Sequence, residues 1–227
     1  MSRPLLLLRP QPGNDRSAAR ARAMGMEVIQ LPLFEIVPAP AAPPPAGPFD
    51  ALLVTSINGA RFAAPWFARW PDLPIFTVGA ASAEAVRAQG GRDVRVGGGD
   101  AATTLPGIAA AGHRHILHLC GAETRPFDPL GLAITRHILY AAEPRDMRPF
   151  TKMLATLPAS AIAVHSPAAG RRLNALLPAT HRNHLLVAIS QAAAQASGPG
   201  WRRVEVAASP DDTALLDAAR RVCMSAI

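Results

Sequence analysis

The chain has 227 residues, 49% of them apolar and 5% aromatic, with a net charge of +7. That length lies between one large domain and two small ones, and the apolar share is enough for real cores, which excludes a disordered chain. No apolar run approaches the ~20 residues of a membrane-spanning helix, and Leu5 to Leu8, followed at once by Pro10 and Pro12, is too short for a signal-peptide core, so a cytoplasmic protein is expected. The two cysteines, Cys120 and Cys223, lack framework spacing, which argues against a disulfide and against structural zinc. Of the 23 basic residues only Lys152 is a lysine. Arginine's planar fork suits carboxylates and phosphates, although scattered arginines also make an ordinary solvated face.

Taken along the chain, strand-length apolar runs occur at Leu5 to Leu8, Ala51 to Val54, Ile75 to Val78, Ile116 to Leu119, Ile162 to Val164 and Leu185 to Ile189. Their apolar pattern is near-continuous rather than alternating, the mark of parallel strands covered on both faces. Between them lie helix-length stretches at Arg16 to Met24, Ala60 to Trp70, Ser82 to Gln89, Ala169 to Leu177, Ala192 to Ser197 and Thr213 to Val222. Strands alternating with helices predict crossover units and open parallel sheets. The proline-rich Pro38 to Pro48 suits neither helix nor central strand and reads as a stiff linker or long surface loop.

A shift of 110 residues places Ala51-Leu52-Leu53-Val54-Thr55-Ser56 on Ala161-Ile162-Ala163-Val164-His165-Ser166, and Arg61 on Arg171. With a drift of one residue, Phe76 to Ala83 falls on Val187 to Ala194. Val94-Arg95-Val96 then meets Val204-Glu205-Val206, and Asp100 stands opposite Asp211-Asp212. An ordered repeat of half the chain predicts two flavodoxin-like α/β domains related by internal duplication. Because the proline-rich segment follows only one strand–helix–strand unit, the chain is expected to begin one domain, build the other, and return. Residues 1–34 plus 143–227 then form a discontinuous domain and 35–142 an inserted one, with crossings near 31–37 and 138–143.

Parallel sheets bind ligands at the carboxyl ends of their strands, where helix N-termini offer free N–H groups. Four such ends carry hydroxyls or glycines: Thr55-Ser56-Ile57-Asn58-Gly59, Gly79 to Ser82, Ser166-Pro167 and Ser190. Each serine is equally suited to capping its helix. His113, His115 and His118 form an H-x-H-x-x-H pattern, but no cysteine or acidic ligand stands at a useful spacing for a metal. Gly97-Gly98-Gly99 lacks the rest of any phosphate fingerprint and reads as a turn.

In their order these motifs resemble the uroporphyrinogen-III synthase family. Arg9-Pro10, Gly25 with Glu27-Val28, and Pro32 look like its opening. Thr55-Ser56-x-Asn58-Gly59 resembles its T-S-x-N-G motif, and Val78-Gly79-x-x-Ser82-Ala83 its V-G-x-x-T-A, with Ser82 keeping a hydroxyl where threonine is usual. Tyr140, the sole tyrosine, stands at the second crossing, where the family carries one. Ser166-Pro167, Ala188-Ile189-Ser190, Gly200-Trp201-Arg202 and Ser209-Pro210 complete the series. Ala193 stands where some members have a second threonine.

The resemblance implies a cofactor-free hydro-lyase of heme biosynthesis that closes hydroxymethylbilane, a linear tetrapyrrole with eight carboxylates, into uroporphyrinogen III with its last ring reversed. It implies Tyr140 as the general acid for the departing hydroxyl, and Arg9, Ser56, Asn58, Gly59, Gly79, Ser82, Ser166 and Ser190 as substrate-binding positions. Hydroxymethylbilane synthase would be the upstream partner. Two lobes tethered twice would wrap the bilane, and a monomer with a mobile hinge is expected. A non-enzymatic two-lobed receptor for a small anion is the alternative. No basic stripe with interleaved aromatics suggests nucleic acid.

Overall fold

The computed structural model describes residues 3–177 and 183–224. They divide into two compact units, residues 1–35 with 143–227 and residues 36–142. The chain passes from one to the other twice, inside strand β3 (Phe34–Pro38) and inside strand β8 (Ala133–Pro144).

The first unit holds a parallel sheet in the order β11-β10-β9-β1-β2. Its strands are β1 (Leu5–Leu7), β2 (Val28–Gln30), β9 (Ala161–Val164), β10 (Leu185–Ala188) and β11 (Arg203–Val206). In chain order this is 2-1-3-4-5, the flavodoxin-like arrangement. Both faces are buried, so alternate residues of one strand serve different cores. Leu5, Leu7, Ala161, Ala163, Leu185 and Val187 pack under helices α1 (Gly13–Ala23) and α9 (Asp212–Met224). Leu6, Leu8, Ile162, Val164, Leu186 and Ala188 pack under α6 (Arg148–Thr156), α7 (Pro167–Leu176) and α8 (Gln191–Ala196). This two-sided burial is why the strands read as unbroken apolar runs.

The second unit carries a sheet ordered β3-β8-β7-β4-β5-β6. Strands β4 (Ala51–Val54), β5 (Ile75–Thr77), β6 (Val94–Val96), β7 (His115–Gly121) and β8 pair in parallel. One face packs Leu52, Val54, Leu117 and Leu119 against α2 (Ile57–Phe62), α3 (Ala64–Arg69) and α4 (Ala80–Ala88). The other packs Ala51, Leu53 and Ile116 against α5 (Ala101–Ala110).

The two sheets have the same order once β11, β10, β9, β1 and β2 are set on β6, β5, β4, β7 and β8. The 110-residue shift seen between Ala51 and Ala161 also sets Leu5 on His115. Each unit therefore combines the front of one repeat with the back of the other, which is why each is discontinuous or inserted and the chain must cross twice.

Local chemistry explains the differences from the sequence reading. Ala60 to Trp70 is two helices, α2 and α3, because Pro65 fits a first turn but not a helix interior. Helix α5 forms despite Pro106 because Asp100 and Thr103 close a capping box at its start. Ser166 caps α7 in an extended conformation, its Oγ accepting the Ala169 N–H at 3.2 Å.

Gly170, in α7, is packed against α8 so closely that a Cβ would lie 2.7 Å from Ala193 O and 2.8 Å from Ser197 Oγ. Helix propensity alone favours alanine over glycine by up to about 1 kcal/mol, whereas forcing backbone apart in a packed core costs about 1–3 kcal/mol. Gly170→Ala is expected to lose about 1 kcal/mol or more net, read as a lower urea midpoint. A higher midpoint would mean the helices separate freely.

Candidate active site

In the second unit the chain runs outward from β4 to β5 and β6, then returns to β7 on the other side of β4. Neighbouring β4 and β7 thus send their connections in opposite directions, and their carboxyl ends open a crevice, the usual ligand position in such sheets. A cavity of ≈ 340 Å³ lies there, lined among others by Thr55, Ser56, His118, Gly121, Arg125 and Tyr140. Its size is at the low end for small-molecule sites.

Ser56 follows β4 and caps α2, accepting the Gly59 N–H on Oγ at 2.9 Å. The same oxygen lies 2.9 Å from Tyr140 Oη, and either hydroxyl is able to donate. Because Ser56 takes the backbone N–H through a lone pair, its own proton is free for the phenol. Burial pushes the Tyr140 phenol above its usual value of 10.0, and the hydrogen bond from Ser56 partly offsets that push. The phenol is therefore protonated at neutral pH, and a donor stands ready to stabilise its phenolate.

Behind them, His118 lies fully buried in β7 between Leu53 of β4 and Arg136 of β8. Its Nε2 meets Thr55 Oγ1 at 2.9 Å. Burial pulls the imidazole down to about 4, and the Arg136 charge adds to the effect, so His118 is neutral at pH 7. Asp100, also on the cavity wall, is occupied by the Thr103 N–H at 2.8 Å, which holds its carboxyl below the usual range.

The equivalent tip of the first unit is closed by an ion pair. Arg9, just after β1, donates from Nη1 to Asp212 Oδ1 at 2.9 Å and to Ser17 Oγ at 3.0 Å. Ser17 Oγ donates to the same carboxylate oxygen at 2.6 Å, and His165 Nε2 stands 3.1 Å from it. Burial alone would raise the Asp212 carboxyl. The hydrogen bonds from His165 and Ser17 and the Arg9 charge outweigh it and hold the group well below the carboxylate range.

The sequence-selected residues thus fall in two groups. Ser56 and Tyr140 meet on one cavity wall. Gly59 and Asn58 lie in the first turn of α2, where Asn58 Oδ1 is buried without a hydrogen-bond partner among the described residues. Gly79 caps α4 in an extended conformation, and Ser82 is buried in that helix's first turn. Arg9, Ser166 and Ser190 belong to the first unit, where the two serines cap α7 and α8. Of the histidine pattern, His113 and His115 each stand 3.8 Å from Asp50 while His118 points elsewhere, and among the described residues no group of three His, Cys, Asp or Glu is arranged to hold a metal. Sequence reasoning missed His118 as a cavity residue and the wall from Gly121 to Phe127. Thr55 stood inside a recognised motif and was the one signal available.

Two doubly wound units, each with hydroxyl-capped helices at its strand tips and one with a half-buried phenol on a cavity wall, define a two-unit, mostly parallel α/β protein. Residues 15–217 match the family described as HEM4, uroporphyrinogen-III synthase HemD. The chain belongs to this family, which makes it a lyase of heme biosynthesis. Its fold is similar to that of uroporphyrinogen-III synthetase from Helicobacter pylori, with 14% identity, a TM-score of 0.67, and coverage of 97% of this chain and 99% of that one. A mutant uroporphyrinogen III synthase from the extremely thermophilic bacterium Thermus thermophilus is similar at 15% identity and a TM-score of 0.54, with coverage of 97% and 99%. No curated protein sequence matches the chain. No helix among the described residues is long and apolar enough to cross a membrane.

The low proton affinity of His118 has a consequence for stability. Unfolded, the imidazole takes up its proton near pH 6.5; folded, it resists to about pH 4. The unfolded state binds more protons in that window, so stability decreases as the pH is lowered from about 6.5 towards 4, by up to about 1.4 kcal/mol per pH unit. His118→Gln is expected to lose this slope. Urea titrations of both proteins at pH 7, 6 and 5 measure it, and parallel pH dependences would refute the assignment.

Proposed function

We propose that the chain converts hydroxymethylbilane into uroporphyrinogen III, reversing the last ring and releasing water, and that the hydroxymethyl-bearing ring loses its hydroxyl in the cavity of the second unit. The observation that carries this reading is the Tyr140 phenol on the cavity wall, 2.9 Å from Ser56.

Tyr140 donates its proton to the departing oxygen as the carbon–oxygen bond breaks with its electron pair on oxygen, so water leaves. The pyrrole nitrogen supplies the electron pair that replaces the bond, its N–H proton passes to solvent to give the neutral azafulvene, and a solvent proton later restores the Tyr140 phenol. Ser56 donates to the phenolate left behind, which shares the charge without a cation. The substituted carbon of the last ring attacks, and the spiro intermediate fragments and recloses with that ring reversed. Pyrrole chemistry supplies nucleophile and electrons, so the protein's share is the proton, the folded pose and exclusion of unreversed closure. No cofactor enters the scheme.

A +7 chain suits a polycarboxylate. Ser166 and Ser190 each cap a helix through a lone pair and retain a hydroxyl proton for a substrate carboxylate. Gly79 leaves open space at the start of α4, where a carboxylate meets backbone N–H groups. Arg9, held by Asp212, fixes the tip of its unit more than it offers a free cation. The working form is a cytoplasmic monomer receiving the bilane from hydroxymethylbilane synthase.

Tyr140→Phe is expected to lower turnover by about tenfold to a thousandfold, within or below the general-acid range. Supplying enzymatically generated hydroxymethylbilane, oxidising the products and resolving isomers I and III tests the reaction itself. Predominant type III is expected. Type I alone from folded protein refutes the reading, and unchanged turnover in Tyr140→Phe removes the phenol from it.

A further inference from the structure

We propose that Gly121 and Arg136 are positioning residues for this reaction: a one-residue bulge in β8 turns the Tyr140 ring toward α2, and the bare Gly121 and the Arg136 guanidinium hold it there. The inference rests on the proposed role of Tyr140.

Strands β7 and β8 pair in step from His115↔Ala133 to Cys120↔Ile138, and the next pair is Gly121↔Tyr140. Leu139 is thus the extra residue of a β-bulge, a device that locally re-aims a side chain. Its effect is visible in the packing. Consecutive strand residues point to opposite faces, yet Leu139 and Tyr140 both pack into the core of Leu52, Leu117 and Leu119. His137, two residues earlier, faces Trp66 at 4.1 Å and Leu139 follows it on the same side. Leu132 and Ile134 belong to the opposite core. An uninterrupted strand would carry residue 140 to that opposite side, away from α2 and Ser56. The bulge is what lets the phenol reach the cap of α2.

The ring needs room where it arrives. A Cβ on Gly121 would lie 2.6 Å from Tyr140 Cζ and 2.9 Å from Oη, so the phenol rests on bare backbone. Phe62 stacks on the ring at 6.0 Å and 21°. The backbone beneath is fixed by Ala122 N, which donates to Tyr140 O at 2.9 Å. Arg136 Nη2 donates to Gly121 O at 3.3 Å and Ala122 O at 3.1 Å. The guanidinium of β8 thereby ties down two carbonyls at the tip of β7.

Because Tyr140 is the only tyrosine, its ionisation is read directly from the ultraviolet difference spectrum at alkaline pH, independently of turnover. In Gly121→Ala the ring is displaced toward solvent. The titration midpoint is expected to move back toward 10, and kcat to fall about tenfold or more with KM changed less than about threefold. In a Tyr140→Phe background the same glycine substitution is expected to cost little further, since both changes act on one group. Arg136→Gln, a change at an exposed side chain, is expected to shift midpoint and kcat in the same directions by less, and it carries the test if Gly121→Ala does not fold. An unmoved midpoint in folded Gly121→Ala or Arg136→Gln, or an equal fall in kcat with and without the phenol, overturns the proposal. The titration decides the geometry even if the isomer assay rejects the reaction.

Discussion

A parallel strand can be re-entered only from the end at which its neighbours also begin, so every strand-to-helix turn of a unit gathers along one edge. In both units that edge collects helix N-termini with their unpaired N–H groups, and the return of the chain past its first strand leaves a crevice there. Serines at these turns satisfy their own helices through a lone pair and keep a proton to give. The cavity, the cap Ser56 and the phenol of Tyr140 all follow from this arrangement.

The two units share a strand order but treat their tips differently. In the second, Thr55 meets a buried neutral histidine and the crevice stays open. In the first, the residue at the same repeat position is His165, and it joins Arg9 and Ser17 around Asp212. That cluster links the chain's ninth residue to its last helix, across the break that makes this unit discontinuous. Burial of Asp212 is costly alone, and the three donors reverse the balance. One repeat position thus serves closure in one unit and a cavity wall in the other.

Much of this architecture was legible in the chain. The runs at Leu5, Ala51 and Ala161 are unbroken, and that at Ile116 is interrupted only by the buried His118, because both sheet faces are covered. Strand β8 was not legible as a strand: Arg136, His137 and Tyr140 interrupt its apolar character, and their places depend on Trp66, Gly121 and Ser56 far away in sequence. Helix α5 was hidden by Pro106, whose cost the Asp100 cap offsets. Tyr140 was recognisable through its family resemblance, but no local pattern announces a bulge, and Arg9 gave no sign of a partner 203 residues on.

The central claim is that ligand meets the Tyr140 phenol in the second unit's cavity. With one tyrosine in the chain, protein labelled with carbon-13 at the tyrosine ζ position gives a single resonance to follow while uroporphyrinogen III is added under anaerobic conditions. The account predicts a saturable shift of that resonance, abolished by filling the cavity with Ser56→Phe. Saturable binding detected by calorimetry with no movement of the tyrosine signal would contradict it.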